Sequence, residues 1–223
     1  MRRGRAHTLI EVIVVVFVMG FVIFGVFSLF LGGSRAYRRS ILRTGLQGDS
    51  QRVAAVLERE VKLTHYASLG TESRVVNIPG GLQVRRDALA MAALSDWSDP
   101  DKFLGGVSPR WDRYVVLYAT TEPEGRLVCQ VIDPDANPTL QPYPGLASNI
   151  RDDPAANDDV SSSRILSDRV LSFEVEKVDA NQLLDVRVRF RERGGKAMLS
   201  EAVVDETHEL VMSLRAWNTF PNL

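Results

Sequence analysis

Residues Leu9–Leu31 read LIEVIVVVFVMGFVIFGVFSLFL, and this stretch decides how the rest of the chain is organised. Glu11 is its one ionisable side chain. At about 1.5 Å per residue, a helix of this length reaches roughly 35 Å, which is enough to cross the core of a bilayer. A carboxylate in such a segment costs about 2.5–3.5 kcal/mol at the bilayer centre and less near an edge. Because Glu11 is the third residue of the run, we expect a modest penalty and an interaction partner.

The residues that precede Glu11 carry a recognisable motif. A short basic leader contains Arg2, Arg3 and Arg5, and the next seven residues read AHTLIEV. This arrangement resembles the type IV prepilin (class III) signal, in which a basic leader and a small residue precede a segment such as F-T-L-I-E-V. Ala6 stands where the family usually has Gly, and His7 stands where it usually has Phe or Met. The resemblance implies that a prepilin peptidase cleaves the chain between Ala6 and His7 and that the new amine of His7 is methylated.

The spacing between the expected new N-terminus and Glu11 has a physical meaning. Cleavage would expose an α-amino group on His7, whose reference pKa of about 7.7–8.0 leaves it largely cationic. Glu11 lies four residues further on, one helical turn away. A neighbouring subunit in a staggered position could offer its amine to this carboxylate, which would neutralise two charges in an apolar setting. The alternative is that Glu11 reaches the lipid headgroups and contacts nothing.

The segment Thr8-Leu9-Ile10-Glu11 is therefore the predicted assembly site. Because arginines flank the hydrophobic run on both sides, positive charge does not decide the orientation of the segment. The resemblance implies a cytoplasmic leader, a single pass through the bacterial inner membrane and an exported C-terminal domain. A secretory signal peptide cut near Gly33 or Ser34 is the alternative, but its hydrophobic region would span only about 7–15 residues.

The sequence predicts four segments: a leader at 1–6, a transmembrane half-helix at 7–32, an amphipathic half-helix at 33–67 and a β domain at 68–223. Gly20 and Gly25 interrupt the apolar run, and each weakens a helix by about 0.5–1 kcal/mol relative to alanine. The resemblance implies that this region can melt when subunits pack. Close packing of helices through small residues is the alternative.

The second half of the predicted helix is apolar on one side. The residues of this stripe recur at helical spacing and are Leu42, Leu46, Val53, Val56, Leu57 and Val61. We expect one continuous helix from about residue 7 to about residue 65, with a favourable pair between Glu58 and Lys62 four residues apart. A globular domain must cover the apolar stripe. The expected fold class is α+β, a long helix packed on an antiparallel sheet as in the pilin fold.

Several hairpins are predicted in the β domain. One joins 74–78 to 82–86 around Pro-Gly-Gly, and another joins 114–120 to 126–132. The clearest one connects 171–176 to 184–191 through the turn at 179–182, because apolar and polar residues alternate in both arms.

The predicted register of this last hairpin pairs Phe173 with Val188 and sets Glu174 opposite Arg187. A final strand contains Leu210, Met212 and Leu214. We expect a helical turn at 88–94 and, because prolines and aspartates are frequent there, a long surface loop at 133–163.

Composition favours a structural role over catalysis. Lys and Arg total 27 and Asp and Glu total 28, so loss of three leader arginines leaves 24 against 28, a net charge of −4. A protein dominated by phosphate contacts is usually basic, so direct binding of nucleic acid is not expected. Cys129 has no partner for an internal disulfide, and we expect it to be a small buried side chain. His7, His65 and His208 show no zinc-ligand spacing, and no nucleophile elbow or phosphate loop is found.

Two further groups of residues are candidate binding sites. Calcium prefers oxygen ligands, which makes an acidic cluster a weak candidate site: Asp152, Asp153, Asp158 and Asp159. Their spacing matches no known calcium loop, so a solvated loop and no cofactor is the expectation. A second group could form a binding platform, although core or interface packing is commoner for aromatic residues near a sheet: Tyr66, Trp97, Trp111 and Trp217.

The expected function follows from the resemblance, whose specific motifs cover about 60 N-terminal residues. The layout is similar to PilW-type minor pilins and J-type minor pseudopilins. It implies a non-enzymatic subunit that primes or caps a type IV pilus for motility, adhesion or the DNA uptake of natural transformation. Its partners would be other pilins, the prepilin peptidase and the inner-membrane assembly platform. The alternatives are a minor pseudopilin of type II secretion and a membrane-tethered binding protein that never polymerises.

Overall fold

A computed structural model describes residues 8–104, 108–134, 138, 140–194 and 205–218. Its first element is one α-helix, α1, at Leu9–Leu63. The prediction of a single continuous helix is confirmed, with its end two residues before the expected one. The chain divides into two compact units, Met1–Leu42 and Arg43–Leu223, and α1 contributes to both.

The described part of the N-terminal unit is the first portion of α1, up to Leu42, and its side chains are mostly exposed to solvent. Its large apolar residues from Leu9 to Phe30 are all at least half exposed. Phe17 and Phe21 contact each other edge to face with their ring centroids 5.0 Å apart. This unit therefore has no core of its own among its described residues, which is consistent with a helix that could span a membrane.

The C-terminal unit is built on a curled antiparallel sheet of seven strands. In their order across the sheet, the strands are Gly70–Glu72 (β1), Ala88–Ala93 (β4), Arg113–Ala119 (β7), Gly125–Ile132 (β8), Val160–Val178 (β9), Leu183–Arg193 (β10) and Asp205–Arg215 (β11). Two small two-stranded sheets complete the unit: Val75–Ile78 (β2) with Leu82–Arg85 (β3), and Phe103–Leu104 (β5) with Ser108–Pro109 (β6). The α+β class is therefore confirmed.

The three predicted hairpins are present. Strands β2 and β3 pair Ile78 with Leu82 across the Pro-Gly-Gly turn, and β7 pairs with β8. Strands β9 and β10 adopt the predicted register, with Phe173 opposite Val188 and Glu174 opposite Arg187. The last predicted strand is β11, and the expected ion pair between Glu58 and Lys62 forms on α1.

The prediction of a helical turn at 88–94 is wrong, because Ala88–Ala93 forms strand β4. The sequence ALAMAA favours a helix by local propensity, but tertiary packing overrides that preference. The strand is almost fully buried, because residues pack against both of its faces. Ala88 and Ala92 lie opposite Tyr118 and Tyr114 of β7, where small side chains leave room for the aromatic rings.

The segment 133–163, predicted to be a surface loop, is partly buried. Asn157 donates to the hydroxyl of Tyr118 at 3.0 Å and to Oε1 of Gln130 at 2.9 Å. Gln130 in turn donates to the carbonyl of Asn149 at 2.6 Å. These bonds hold the loop on the sheet because the buried polar groups of the strands need partners. The predicted end of the loop at residue 163 is also wrong, because strand β9 already begins at Val160.

Two hydrophobic clusters lie on opposite faces of the sheet. The inner cluster faces α1 and includes Leu46, Val53, Leu57, Val61, Leu117, Leu127, Phe173, Val188 and Phe190. The outer cluster lies under the loops and includes Ala88, Ala90, Ala92, Trp111, Tyr114, Tyr118, Leu146 and Ile150. The predicted apolar stripe of α1 thus supplies the inner cluster from Leu46 onwards.

A fully buried arginine joins several of these elements. Arg86 is 0% exposed, and its guanidinium donates to five backbone carbonyl oxygens. The acceptors belong to Thr120, Glu122, Pro123, Val170 and Leu171. Burial lowers the pKa of Arg86, but an arginine retains its proton in proteins. The guanidinium therefore ties the turn between β7 and β8 to the middle of β9.

The neighbouring Asp87 is the second buried centre of polar contacts. Its carboxylate accepts from the amide of Val175 at 2.9 Å and from the guanidinium of Arg85 at 2.6 Å. The hydroxyl of Ser73 and the amide of Arg74 also donate to it, at 3.1 and 3.2 Å. These bonds satisfy a carboxylate that is almost fully buried, as a buried charge requires.

Candidate assembly site

The first turn of α1 is closed by two reciprocal hydrogen bonds between Thr8 and Glu11. The amide of Thr8 donates to Oε2 of Glu11 at 3.1 Å, and the amide of Glu11 donates to Oγ1 of Thr8 at 3.4 Å. This is a capping box, which satisfies amides that have no partner within the helix. The partners predicted for Glu11 from the sequence lie outside the helix, so the bond to Thr8 is an addition that the structure supplies. The Thr-x-x-Glu spacing before an apolar run was the signal that could have predicted the box.

The charge on Glu11 also suits its position in the helix. A carboxylate in the first turn is favoured by the helix dipole, by about 0.3–1 kcal/mol at exposed sites. An ionised carboxylate offers about four acceptor sites, so the bond to Thr8 does not exhaust its capacity. Glu11 can therefore cap its own helix and still accept a hydrogen bond from a cation.

The remaining predicted assembly residues lie in the open. Leu9 and Ile10 are 79% and 73% exposed. Apart from the adjacent residues and the nearby backbone of α1 itself, Gly20 and Gly25 have no heavy atom within 4 Å of the position that a Cβ would occupy. A shallow apolar groove of about 570 Å³ runs along Val12, Ile13, Val16, Phe17, Gly20, Phe21 and Phe24. Both glycines therefore leave room for a close approach by another apolar surface.

The predicted processing residues, Ala6 and His7, lie outside the described residues. Cleavage between them and methylation of His7 stay predictions. Among the described residues, α1 is the one helix that is long and apolar enough to cross a membrane.

The structure does not gather the acidic cluster into a cation site. Asp152 accepts from the amide of Thr121 at 2.6 Å, and Asp153 accepts from a backbone amide that opens a short helical turn. Asp158 lies 3.9 Å from a guanidinium, and Asp159 has a left-handed backbone with φ of 58°. Within the described ranges, no three His, Cys, Asp or Glu side chains lie close enough to share a metal ion.

The aromatic residues do not form one platform. Tyr66 is buried in the inner cluster and Trp111 in the outer cluster, on the opposite face of the sheet. Trp97 packs against Trp111 with the ring centroids 6.1 Å apart. Trp217 is 70% exposed and lies under the ammonium of Lys62. The four aromatic residues therefore lie in different parts of the domain and do not share one surface.

Tyr66 is held in place by a carboxylate. Its hydroxyl donates to Oδ1 of Asp179 at 2.9 Å. Burial, together with this hydrogen bond and the negative charge of Asp179, raises the pKa of Tyr66 to about 12. The bond ties the short helical turn after α1 to the turn between β9 and β10.

The other candidate nucleophiles and bases lie in structural positions. Cys129 is buried in β8, as expected, and burial raises the pKa of its thiol, which disfavours the reactive thiolate. His65 accepts from the amide of Ala67 at 3.1 Å, and burial lowers the pKa of its imidazole. His208 lies on the edge strand β11 opposite Phe190. These three side chains lie apart on different elements.

We found no match to this chain among protein-family models, curated proteins or solved structures. Arguments about its function therefore start from its own sequence and geometry. The two features that carry most weight are the capped first turn with Glu11 and the exposed apolar surface that follows it.

Proposed function

We propose that this chain is a minor pilin: a structural subunit that is anchored in the inner membrane by α1 and primes or caps a type IV pilus. The observation that carries the proposal is a carboxylate fixed in the first turn of an otherwise apolar and exposed helix segment. An ionisable group at such a position is by default a functional site, because its burial in lipid is unfavourable without a partner.

The proposed assembly contact is between Glu11 of one subunit and the N-terminal amine of its neighbour. The capping box supports this proposal because it fixes the carboxylate at the start of the helix, near the position where a processed chain would begin. Once subunits pack, the apolar side chains that flank Glu11 would exclude water, which would strengthen the attraction between the two charges. The exposed groove at Gly20 offers a surface on which a second apolar helix can pack.

The C-terminal unit would then be the part of the subunit that is displayed outside the membrane. Its sheet carries a charged outer surface on β10 and β11, where Arg189 contacts Glu209 at 3.1 Å and Arg191 contacts Asp205 at 2.9 Å. Exposed ion pairs of this kind contribute little to stability. They keep the surface soluble, which suits a domain held in an aqueous compartment.

The test separates the charge of Glu11 from its role in the capping box. Glutamine at this position retains the cap but carries no charge, so Glu11→Gln removes the proposed intersubunit pair alone. Leaving a buried charge without its partner costs about 3–5 kcal/mol, which lowers the association constant by more than about a hundredfold. We expect Glu11→Gln to insert normally and to reduce pilus number at least about tenfold in cells that lack the native copy.

Two control variants accompany this experiment. Thr8→Val removes the hydroxyl of the capping box but leaves the charge, and we expect it to retain most pilus assembly. Glu58→Gln removes a carboxylate from the exposed ion pair with Lys62 and should behave as the native chain does. Normal pilus number with Glu11→Gln would overturn the proposed charge pairing.

A membrane tether that does not polymerise is the second candidate function. The observation that favours it is the capping box itself, since Thr8 already supplies Glu11 with one partner inside the same chain. On this alternative, Thr8→Val and Glu11→Gln would both leave assembly unchanged. Covalent crosslinking between cysteines introduced at positions 13 and 17 would then fail to link subunits.

A further inference from the structure

A polar cavity of about 270 Å³ opens between α1 and the ends of strands β7, β8 and β9. The residues that matter for its chemistry are Arg59, Glu60, Arg113, Cys129, Ser162 and Arg164. All of them belong to the C-terminal unit. The cavity is independent of the N-terminal assembly site, so the inference drawn from it does not rest on the proposed function.

The charges around this cavity favour an anion. Three guanidinium groups line it, from Arg59, Arg113 and Arg164, against the single carboxylate of Glu60. That carboxylate forms an ion pair with Arg59. The lining therefore carries two positive charges in excess, and the hydroxyl of Ser162 adds a neutral donor.

Arg113, one of the lining residues, is only partly paired by the protein. Its Nε is buried and has no hydrogen-bond partner among the described residues. One of its terminal nitrogens donates to the carbonyl of Leu94 at 3.2 Å, which fixes the direction of the guanidinium. Buried N–H groups in folded proteins are nearly always paired, and a charged donor without an acceptor is especially unfavourable.

The sequence of β9 is polar where it borders the cavity. Further along the same strand, Leu166 and Val170 belong to the inner cluster. At the cavity the strand instead has Ser162 and Arg164, and Arg164 lies opposite Cys129 in the register with β8. The apolar core thus ends at a basic rim, beside which α1 contributes Arg59.

We propose that this cavity is an oxyanion-binding site. Guanidinium groups match the two oxygens of a carboxylate or a phosphate through paired N–H donors. An oxyanion here would balance the excess positive charge and would accept hydrogen bonds from arginine side chains that line the cavity. The anion is either a phosphate group or a carboxylate, such as an acidic side chain of a neighbouring protein.

The experiment measures the thermal unfolding of the full chain in a maltoside detergent, followed by tryptophan fluorescence. Sodium phosphate and sodium acetate are compared with sodium chloride at equal ionic strength. For a phosphate Kd of about 10 mM, a concentration ten times higher raises Tm by about 3–6 °C. We expect Arg164→Gln to weaken binding about tenfold and to reduce the shift to about 1 °C.

Three other variants make the test specific. Arg113→Gln should also lose the shift. If Arg113→Gln does not fold, Arg164→Gln still tests the proposal, because Arg164 is exposed and its replacement should not disturb folding. Glu60→Gln removes the one carboxylate, so it should enlarge the shift beyond that of the native chain. Arg187→Gln removes an exposed arginine of β10 and should leave the shift unchanged.

Each outcome decides something. A shift with phosphate alone assigns the site to a phosphate group, a shift with acetate alone assigns it to a carboxylate, and equal shifts show an oxyanion site that accepts both. The absence of any shift in the native chain overturns the proposal. It is also overturned if the shift survives Arg164→Gln, or if Glu60→Gln reduces it.

Discussion

Replacing Arg86 by Met tests whether one buried guanidinium holds the centre of the sheet together. Methionine fills much of the same volume, so the change chiefly removes the donors to five backbone carbonyl oxygens. Each hydrogen bond from a charged donor contributes about 1.5–3 kcal/mol, but the variant also no longer buries a charge, which offsets part of the loss. Each buried carbonyl left without its donor costs about 1–3 kcal/mol, and with part of that loss offset we expect a net loss of about 3–5 kcal/mol.

The free energy of unfolding is measured by urea denaturation of the full chain in detergent, with tryptophan fluorescence as the probe. A loss of this size lowers Tm by about 6–20 °C for a domain of 150–250 residues. Arg86→Lys keeps the charge but has three donors in place of five, so we expect about half the loss. Arg187→Met, at an exposed position on β10, should change stability by less than about 0.5 kcal/mol. A loss below about 1 kcal/mol for Arg86→Met would refute the reasoning.

Two other predictions concern close contacts in the same unit. A Cβ on Gly125 would lie 2.4 Å from the carbonyl oxygen of Val170, so Gly125→Ala should cost about 1–3 kcal/mol in the same urea assay. Gly48→Ala, on α1 where the Cβ meets nothing within 4 Å, should instead stabilise by about 0.5–1 kcal/mol, and equal effects of the two substitutions would contradict this prediction. Asp179→Asn should lower the pKa of Tyr66 from about 12 towards 10, as measured by tyrosinate absorbance. Because the raised pKa favours neutral Tyr66 in the folded state, its contribution is full below pH 10 and is lost as the pH rises towards 12; an unchanged alkaline titration in Asp179→Asn would contradict this.

Local patterns in the sequence predicted the regular parts of the fold. In strands β9 and β10, strict alternation placed Phe173 opposite Val188 and Glu174 opposite Arg187, and the structure has both pairs. A one-residue slip would have moved every apolar side chain to the solvent face, so the pattern specifies the register strongly. The helix was predictable for the same reason, because its period is visible over many turns.

Other parts depended on contacts between distant segments. Strand β4 has a helix-forming composition, and its conformation is decided by the aromatic residues of β7 that pack over its alanines. Arg86 draws its acceptors from the β7–β8 turn and the middle of β9, more than thirty residues away in sequence. No local pattern brings those carbonyls together. The capping box of Thr8 and Glu11 is different, since its spacing was visible in the sequence.

The central claim is that Glu11 stands one helical turn from a newly created amine. The most direct test is the intact mass of the protein purified from membranes of the native host. The account predicts a chain that begins at His7, with or without one methyl group. A mature protein that retains Met1, or that begins beyond residue 30, would contradict it.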